Sequence, residues 1–380
     1  MTGDWPALIE RSLGALSRGE HRQALDLLEP AVEAGTAPPA AWLLLAQARS
    51  RAGDPGGEER ALDGALAADG RFVPALLAKG DLNLARGDER AASSFFNLAL
   101  SNAPANPPPG LRARLDRARV AIEAVQRRMA RHLDRQLADA STAGPELERF
   151  AEALTILKGG AEVQLQQPTS FFYPGLPQRA FYDPAEFEWA AGFEAQTDAI
   201  RGELDALLRT DAGFQPYVQG SANRANRGHS LLDDPRWSAL YLWRDGAVVE
   251  ENARRCPAAM AALATAPMPR IPSRAPGVLF SMLRPRTHIP PHWGMLNTRL
   301  ICHLPLIVPE GCRLRVGNHE RAVEAGKLMI FDDSINHEAW NDSDDIRIVL
   351  LFEIWNPALS EAERTALTAM FEAVSLYGDG

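Results

Sequence analysis

The 380-residue chain is short of several things at once, and each shortage removes a class of protein. It has three cysteines, Cys256, Cys302 and Cys312, an odd number without any Cys-x-x-Cys spacing. That leaves no disulfide framework to build on and predicts reduced thiols in a cytoplasmic setting. No apolar run is long enough to cross a bilayer, and the opening MTGDWPALIE has neither the basic nor the apolar stretch of a signal peptide. Positive charge is in deficit as well. A formal charge of −9 and a pI near 5.5 argue against a general binder of nucleic acid or of anionic membranes. What remains is ordinary for a soluble globular protein, with 46% hydrophobic and 23% charged residues and a length that predicts two or three domains.

The first hundred residues carry an internal repeat. Gly19-Glu20, Gly53-Asp54 and Gly87-Asp88 recur at intervals of 34, as do Leu28, Leu62 and Phe96. Thirty-four is the period of tetratricopeptide helix pairs, and the segments between the glycines place apolar residues at i, i+3, i+4 and i+7. Each Gly-acid pair marks the turn inside one pair of helices, and three pairs are about the minimum for a stable stack. A Pro-rich break at 102–109 follows, then a long Arg/Ala/Leu helix over 111–140 and another over 145–158. The basic run on 111–135 reads as a solvated face. The repeats predict a groove for a peptide or partner protein, or a scaffold that packs on a catalytic domain or joins two copies.

Residues 280–357 change the rhythm, since apolar runs of five to eight residues alternate there with turns rich in Pro, Gly, Asn and Asp. That is a meander of β-strands. Five of the eight histidines fall between His288 and His337, with His229 upstream and His21 and His132 in helical sequence. His292, in Pro-Pro-His-Trp-Gly, sits at the mouth of one strand, and His337 follows another strand and its turn. Two imidazoles on neighbouring strands of a small barrel can converge on one metal and leave positions open for substrate and oxygen. Arg347 interrupts the apolar run Ile-Arg-Ile-Val-Leu-Leu-Phe-Glu-Ile-Trp. A guanidinium pointing into a barrel is costly unless an anion meets it, and a carboxylate is its best partner. The alternative is a pairing of Arg347 with Glu353, six residues on and on the same side of the strand.

These residues resemble the aspartyl/asparaginyl β-hydroxylases, a branch of the Fe(II)- and 2-oxoglutarate-dependent oxygenases. The resemblance is carried by His292-Trp-Gly294, Asn297, Arg299-Leu300, His303-Leu304, Gly326-Lys327, the Phe331-Asp-Asp-Ser334 run, His337-Glu338, Trp340-Asn341, Arg347 and Trp355-Asn-Pro357. Weaker matches at Leu242-Trp243, Glu251-Asn252-Ala253 and 171–184 extend it to residues 171–357, about half the chain. It implies that His292 and His337 bind the iron. It implies too that Arg347 holds the distal carboxylate of 2-oxoglutarate, helped by Ser281 and His303. Outside this branch the metal has a carboxylate ligand two residues after the first His; here that position is Gly294. Where the family often has a second Arg two residues past the one matching Arg299, this chain has Ile301.

The expected architecture is a multidomain α and β chain: a TPR-like helical repeat domain over 1–140, a helical linker over 141–166, and a double-stranded β-helix (jelly-roll, cupin-like) with flanking helices over 167–380. Residues 187–208 read as a helix on the outside of the barrel. The polar stretch 215–234, with His229, reads as a loop near its mouth. Asp332 and Asp333 read as turn residues that bond backbone or orient a ligating His, and His288 and His319 as structural or surface residues. Arg299 is the candidate for a substrate carboxylate. The expected function is oxidative decarboxylation of 2-oxoglutarate, with O2, coupled to hydroxylation of an unactivated C–H, the β-carbon of Asp or Asn in a peptide or protein. The alternatives are a non-catalytic repeat adaptor with a remnant barrel, a related hydroxylase of a free amino acid or lipid acyl chain, and a cupin-like enzyme that uses another metal without 2-oxoglutarate.

Overall fold

A computed structural model describes residues 4–33, 37–138, 144, 147–210, 213–220 and 230–378. The chain divides into two compact units, Met1–Ala161 and Glu162–Gly380.

The first unit is a stack of helix pairs: α1 (Trp5–Ser17) with α2 (His21–Glu33), α3 (Pro39–Arg51) with α4 (Pro55–Ala68), and α5 (Val73–Ala85) with α6 (Glu89–Ser101). The repeated Gly-acid dipeptide has a local cause. Gly19, Gly53 and Gly87 all adopt left-handed backbone, φ 75° to 82°, and so end the first helix of each pair. In two repeats the next residue starts the second helix, because Asp54 and Asp88 accept from the backbone N–H groups of Gly57 and Ala91. Packing between helices relies on small residues opposite rings. A Cβ at Gly80 would lie 2.4 Å from the Phe96 ring, and one at Gly64 would lie 2.6 Å from Trp42. α7 (Pro109–Gln136) follows, burying only Leu115 and Ala118, so its basic face is solvated as expected. Residues 139–143 and 145–146, where the two expected helices would end and begin, lie outside the described residues; a helix resumes at Glu148–Leu157.

Among the described residues the second unit has twelve strands: β1 (Phe181–Tyr182), β2 (Gln215–Pro216), β3 (Trp237–Arg244), β4 (Ala247–Val248), β5 (Val278–Leu283), β6 (Thr287–His292), β7 (Arg299–Ile307), β8 (Cys312–Val316), β9 (His319–Ala322), β10 (Met329–Phe331), β11 (His337–Asn341) and β12 (Arg347–Trp355). They form two antiparallel sheets, one of order β1-β10-β7-β12-β5-β3-β2 with β4 at the side, the other of order β6-β11-β8-β9. Along β12 the period of two is strict. Ile348, Leu350, Phe352 and Ile354 join Phe193, Ile200, Leu204 and Leu263 of the flanking helices in the largest apolar core. Arg347, Leu351 and Glu353 face the other way, into a cavity between the sheets. β7 and β5 obey the same rule, with Arg299, Ile301 and His303 and with Leu279 and Ser281 on the cavity side. Two antiparallel sheets enclosing a cavity, with helices over the outer face of the larger, form the layer architecture that a double-stranded β-helix requires.

Expected and observed elements differ at 187–208 and at the start of the expected loop over 215–234, where Gln215–Pro216 pair with β3 as a short strand. The single helix anticipated over 187–208 is two, Ala190–Glu194 and Thr197–Leu208. The break forms where the N–H of Gln196 bonds back to the carbonyl of Phe193 and the Thr197 hydroxyl donates to that of Glu194. The Asn-Arg-Ala-Asn-Arg-Gly-His segment ending at His229 lies outside the described residues.

The Gly80–Phe96 approach supplies a test of the stack. Gly80→Ala should destabilise the first unit by about 1–3 kcal/mol through overpacking, whereas Gly110→Ala, whose Cβ meets nothing within 4 Å, should be neutral or slightly stabilising. Thermal unfolding of the two variants gives the comparison, and equal melting would refute the packing argument.

Candidate active site

Strands β6 and β11 bring the two candidate metal ligands together. His337 pairs directly with His292 across this ladder, and the two ring centroids are 4.0 Å apart. The register slips by one residue between His337 and Ala339. On β6 the extra residue falls at Pro290-Pro291, which have no N–H to give the ladder, so the bulge is written into the sequence. It turns His292 to face its partner. Each ring is then held by the carbonyl two residues before it: Nδ1 of His292 lies 2.8 Å from the Pro290 oxygen and Nδ1 of His337 lies 3.0 Å from that of Ile335. An imidazole that donates its Nδ1–H to a carbonyl carries its lone pair on Nε2, the arrangement expected of a metal-ligating histidine. Burial also pushes His337 down to about 4, against the pull of the Ile335 and Asp333 carbonyls. It is neutral at physiological pH, as a ligand must be.

Arg347 lies in the same cavity, 1% exposed, and neither its Nε nor its Nη1 has a hydrogen-bond partner. Burial lowers its pKa to about 10, the mark of a cation without an anion beside it. The Arg347–Glu353 pairing held open from the sequence does not form, because Glu353 bonds Arg299 instead. Ser281 and His303 share the cavity. The Ser281 hydroxyl accepts from the Trp237 indole at 3.2 Å, and His303 meets the Phe331 ring edge-on at 5.0 Å. Burial first, and then the Arg347 charge, hold His303 well below its usual pKa and keep it neutral.

The structure separates the two aspartates. Asp332 is a clasp: it accepts from the backbone and hydroxyl of Ser334 at 2.9 and 2.6 Å and from the Gln166 amide at 2.6 Å. Burial raises its pKa to about 6 against those bonds. Asp333 lines the cavity instead, 3.4 Å from an Arg299 nitrogen, and its carboxylate fills the space in front of Gly294. A Cβ at Gly294 would fall 2.1–2.5 Å from that carboxylate. The bare position two residues after His292 is thus where a side chain from the turn between β10 and β11 is seated. Among the described residues no group of three or more His, Cys, Asp or Glu side chains converges on a common metal position.

Of the remaining histidines, His288 is on the same strand as His292 but outside the cavity, stacked on Trp340 at 4.9 Å and bonded to Glu338 at 2.7 Å. His319 is exposed on β9. Arg299 does face the cavity, but Glu353 and Asp333 both hold it. Sequence reading missed that ion group and the aromatic wall of Tyr217 and Trp237, whose rings stack at 4.3 Å. Glu353 carried a signal, an acid inside an apolar strand; Tyr217 and Trp237 carried none.

A two-sheet sandwich that gathers paired imidazoles and an unpartnered guanidinium in one buried cavity of about 460 Å³ is the framework of an enzyme. Residues 194–357 match the family described as aspartyl/asparaginyl beta-hydroxylase. Over 196 residues the chain is 35% identical to the ornithine lipid ester-linked acyl 2-hydroxylase of Rhizobium tropici, covering 50% of this chain and 65% of that protein. It is 36% identical over 217 residues to the human aspartyl/asparaginyl beta-hydroxylase, covering 56% of this chain and 27% of that one. The matched region therefore spans less than two thirds of either relative. The solved structure of PcrH in complex with the chaperone-binding region of PopD aligns with 33% of this chain and 92% of its own, at 20% identity and a TM-score of 0.30.

The seating of Asp333 generates a prediction. Gly294→Asp would place a carboxylate where the wider oxygenase group has one, yet the space is taken. The variant should bind Fe(II) no more tightly than wild type and should lose about 1–3 kcal/mol of stability. Thermal unfolding and metal titration measure both; tighter metal binding with unchanged stability would show that the space is open.

Proposed function

We propose that the Glu162–Gly380 unit is an Fe(II)- and 2-oxoglutarate-dependent dioxygenase that hydroxylates an unactivated C–H, the β-carbon of Asp or Asn in a peptide or protein. The observation that carries this reading is the buried Arg347, with two unpartnered nitrogens in the cavity that holds the His292–His337 pair. A fixed cation in so dry a place calls for an anion, and a carboxylate matches its fork.

The residues present suit the group. His292 and His337 would hold the iron through Nε2, and the bound iron with its oxo acid and O2 would supply the oxidising chemistry. The chain's own work is binding and exclusion. Arg347, with the Ser281 hydroxyl and His303 beside it, orients the distal carboxylate of 2-oxoglutarate. Tyr217, Trp237, Ile289, Phe331 and Leu351 give the cavity apolar walls that keep water from the reacting carbon. The helix pairs of the first unit are the proposed peptide or partner site. No helix among the described residues is long and apolar enough to cross a membrane. The proposed setting is the cytoplasm, in keeping with three cysteines that form no disulfide.

A second substrate reading has its own observation. Trp293 and Met295 line the cavity yet remain 39% and 51% exposed, an apolar lip suited to a lipid acyl chain, the substrate named for the Rhizobium tropici relative.

Anaerobic titration of the purified protein with Fe(II) and 2-oxoglutarate tests the reading. A weak visible charge-transfer band should appear, and it should vanish in His337→Ala. Arg347→Met should keep the metal and weaken 2-oxoglutarate by roughly a hundredfold or more, because a buried charge-assisted pair is lost. Absence of the band in wild type after careful reconstitution would sink the proposal and favour a repeat adaptor with a remnant barrel.

A further inference from the structure

The cavity contains a second polar group besides the imidazoles and Arg347, and its hydrogen-bond accounts are incomplete in an informative way. Ile301 on β7 stands directly opposite Glu353 on β12, with Arg299 two residues away on the same inward face. Glu353 bonds one terminal nitrogen of Arg299, and Asp333 lies 3.4 Å from the other. Both carboxylates are deeply buried, 2% and 6% exposed, and Glu353 also accepts the Gly277 N–H at 2.8 Å. One guanidinium thus stands between two acids. Burial works to strip its proton, but Glu353 and Asp333 outweigh that and raise its pKa. An incoming carboxylate would meet a positive charge already shared by two negative ones and would give up its water beside them. Ile301, at the inward position where a second arginine could stand, adds no charge.

Two atoms of this group stay unsatisfied. Asp333 Oδ1 is a buried acceptor without a donor, and Arg299 Nε is a buried donor without an acceptor. Leaving such atoms unpaired is costly, and a ligand that completes them gains strongly over one that cannot. A primary carboxamide carries both complements: its oxygen can accept from Nε–H, and its NH2 can donate to Oδ1. A carboxylate can satisfy the first only, and its second oxygen would oppose Asp333.

We infer that the Arg299–Glu353–Asp333 group selects a substrate that presents a primary carboxamide, as in an asparagine side chain, and rejects the matching acid. This rests on the peptide reading of the function above and corrects the expectation that Arg299 meets a substrate carboxylate. Glu353 is the specificity determinant, because it neutralises Arg299, the cation beside Asp333.

Calorimetric titration under anaerobic conditions, with Fe(II) and saturating 2-oxoglutarate present, tests the inference. The probes are the N-acetyl, N′-methylamide derivatives of asparagine and of aspartate. Wild type should bind the asparagine derivative about tenfold more tightly or better. Glu353→Gln, which keeps an acceptor for Gly277 and drops the charge, should narrow or reverse that ratio. Equal or tighter binding of the aspartate derivative to wild type, or saturation by neither probe, overturns the inference, as does an unchanged ratio in a variant that melts like wild type. The wild-type comparison stands alone if the variant fails to fold. Binding of 2-oxoglutarate in the same preparation separates the two claims: if it binds and the carboxamide preference is absent, only the selectivity fails, whereas no binding removes the dioxygenase reading itself.

Discussion

Strand β12 is buried along both faces, so every residue on it must belong either to an apolar core or to a cavity that has to make polar side chains tolerable. Ile348, Leu350, Phe352 and Ile354 take the first environment, and Arg347 and Glu353 take the second. Once β12 is fixed in the centre of the larger sheet, its neighbours follow. Pairing sets Val349 against Ser281 on β5 and Leu351 against His303 on β7, which brings the polar residues of three strands into one chamber. A shift of one residue would turn the two charges onto the helices and the apolar row into the cavity, so the register is strongly specified.

The smaller sheet solves a different problem, that of aiming two rings at one point. Ladder geometry alone would put His292 and His337 side by side; the Pro290-Pro291 bulge and the two carbonyls behind the rings fix their orientation. The clasp of Asp332 on Gln166 and Ser334 then steadies the turn before β11. Polar residues outside the proposed metal pair hold its turn in place, at the cost of burying them with full hydrogen bonding.

Charge inside the cavity is unevenly satisfied, and the unevenness follows function. Asp332, deep in the turn, has all its bonds from the chain itself. Arg347 has two unpartnered nitrogens, Arg299 an unpartnered Nε and Asp333 an unpartnered Oδ1. Buried polar atoms are satisfied almost everywhere in folded proteins, and the open ones in this cavity belong to the residues that the proposed ligands would meet.

Much of this was legible from the order of residues. The 34-residue period fixed three helix pairs because a left-handed glycine and a capping acid are purely local requirements, met within a few residues. Alternation of apolar and polar residues marked the strands, and His292, His337 and Arg347 stood out because ionisable groups in such strands are anomalies whatever the register. Partnership was a different matter. Nothing local says that Glu353 bonds Arg299 and not Arg347, that Asp333 fills the space before Gly294, or that Tyr217 and Trp237 form one wall. Those contacts join residues tens of positions apart, and only the pairing of β7 with β12 and the closing of one sheet over the other decides them.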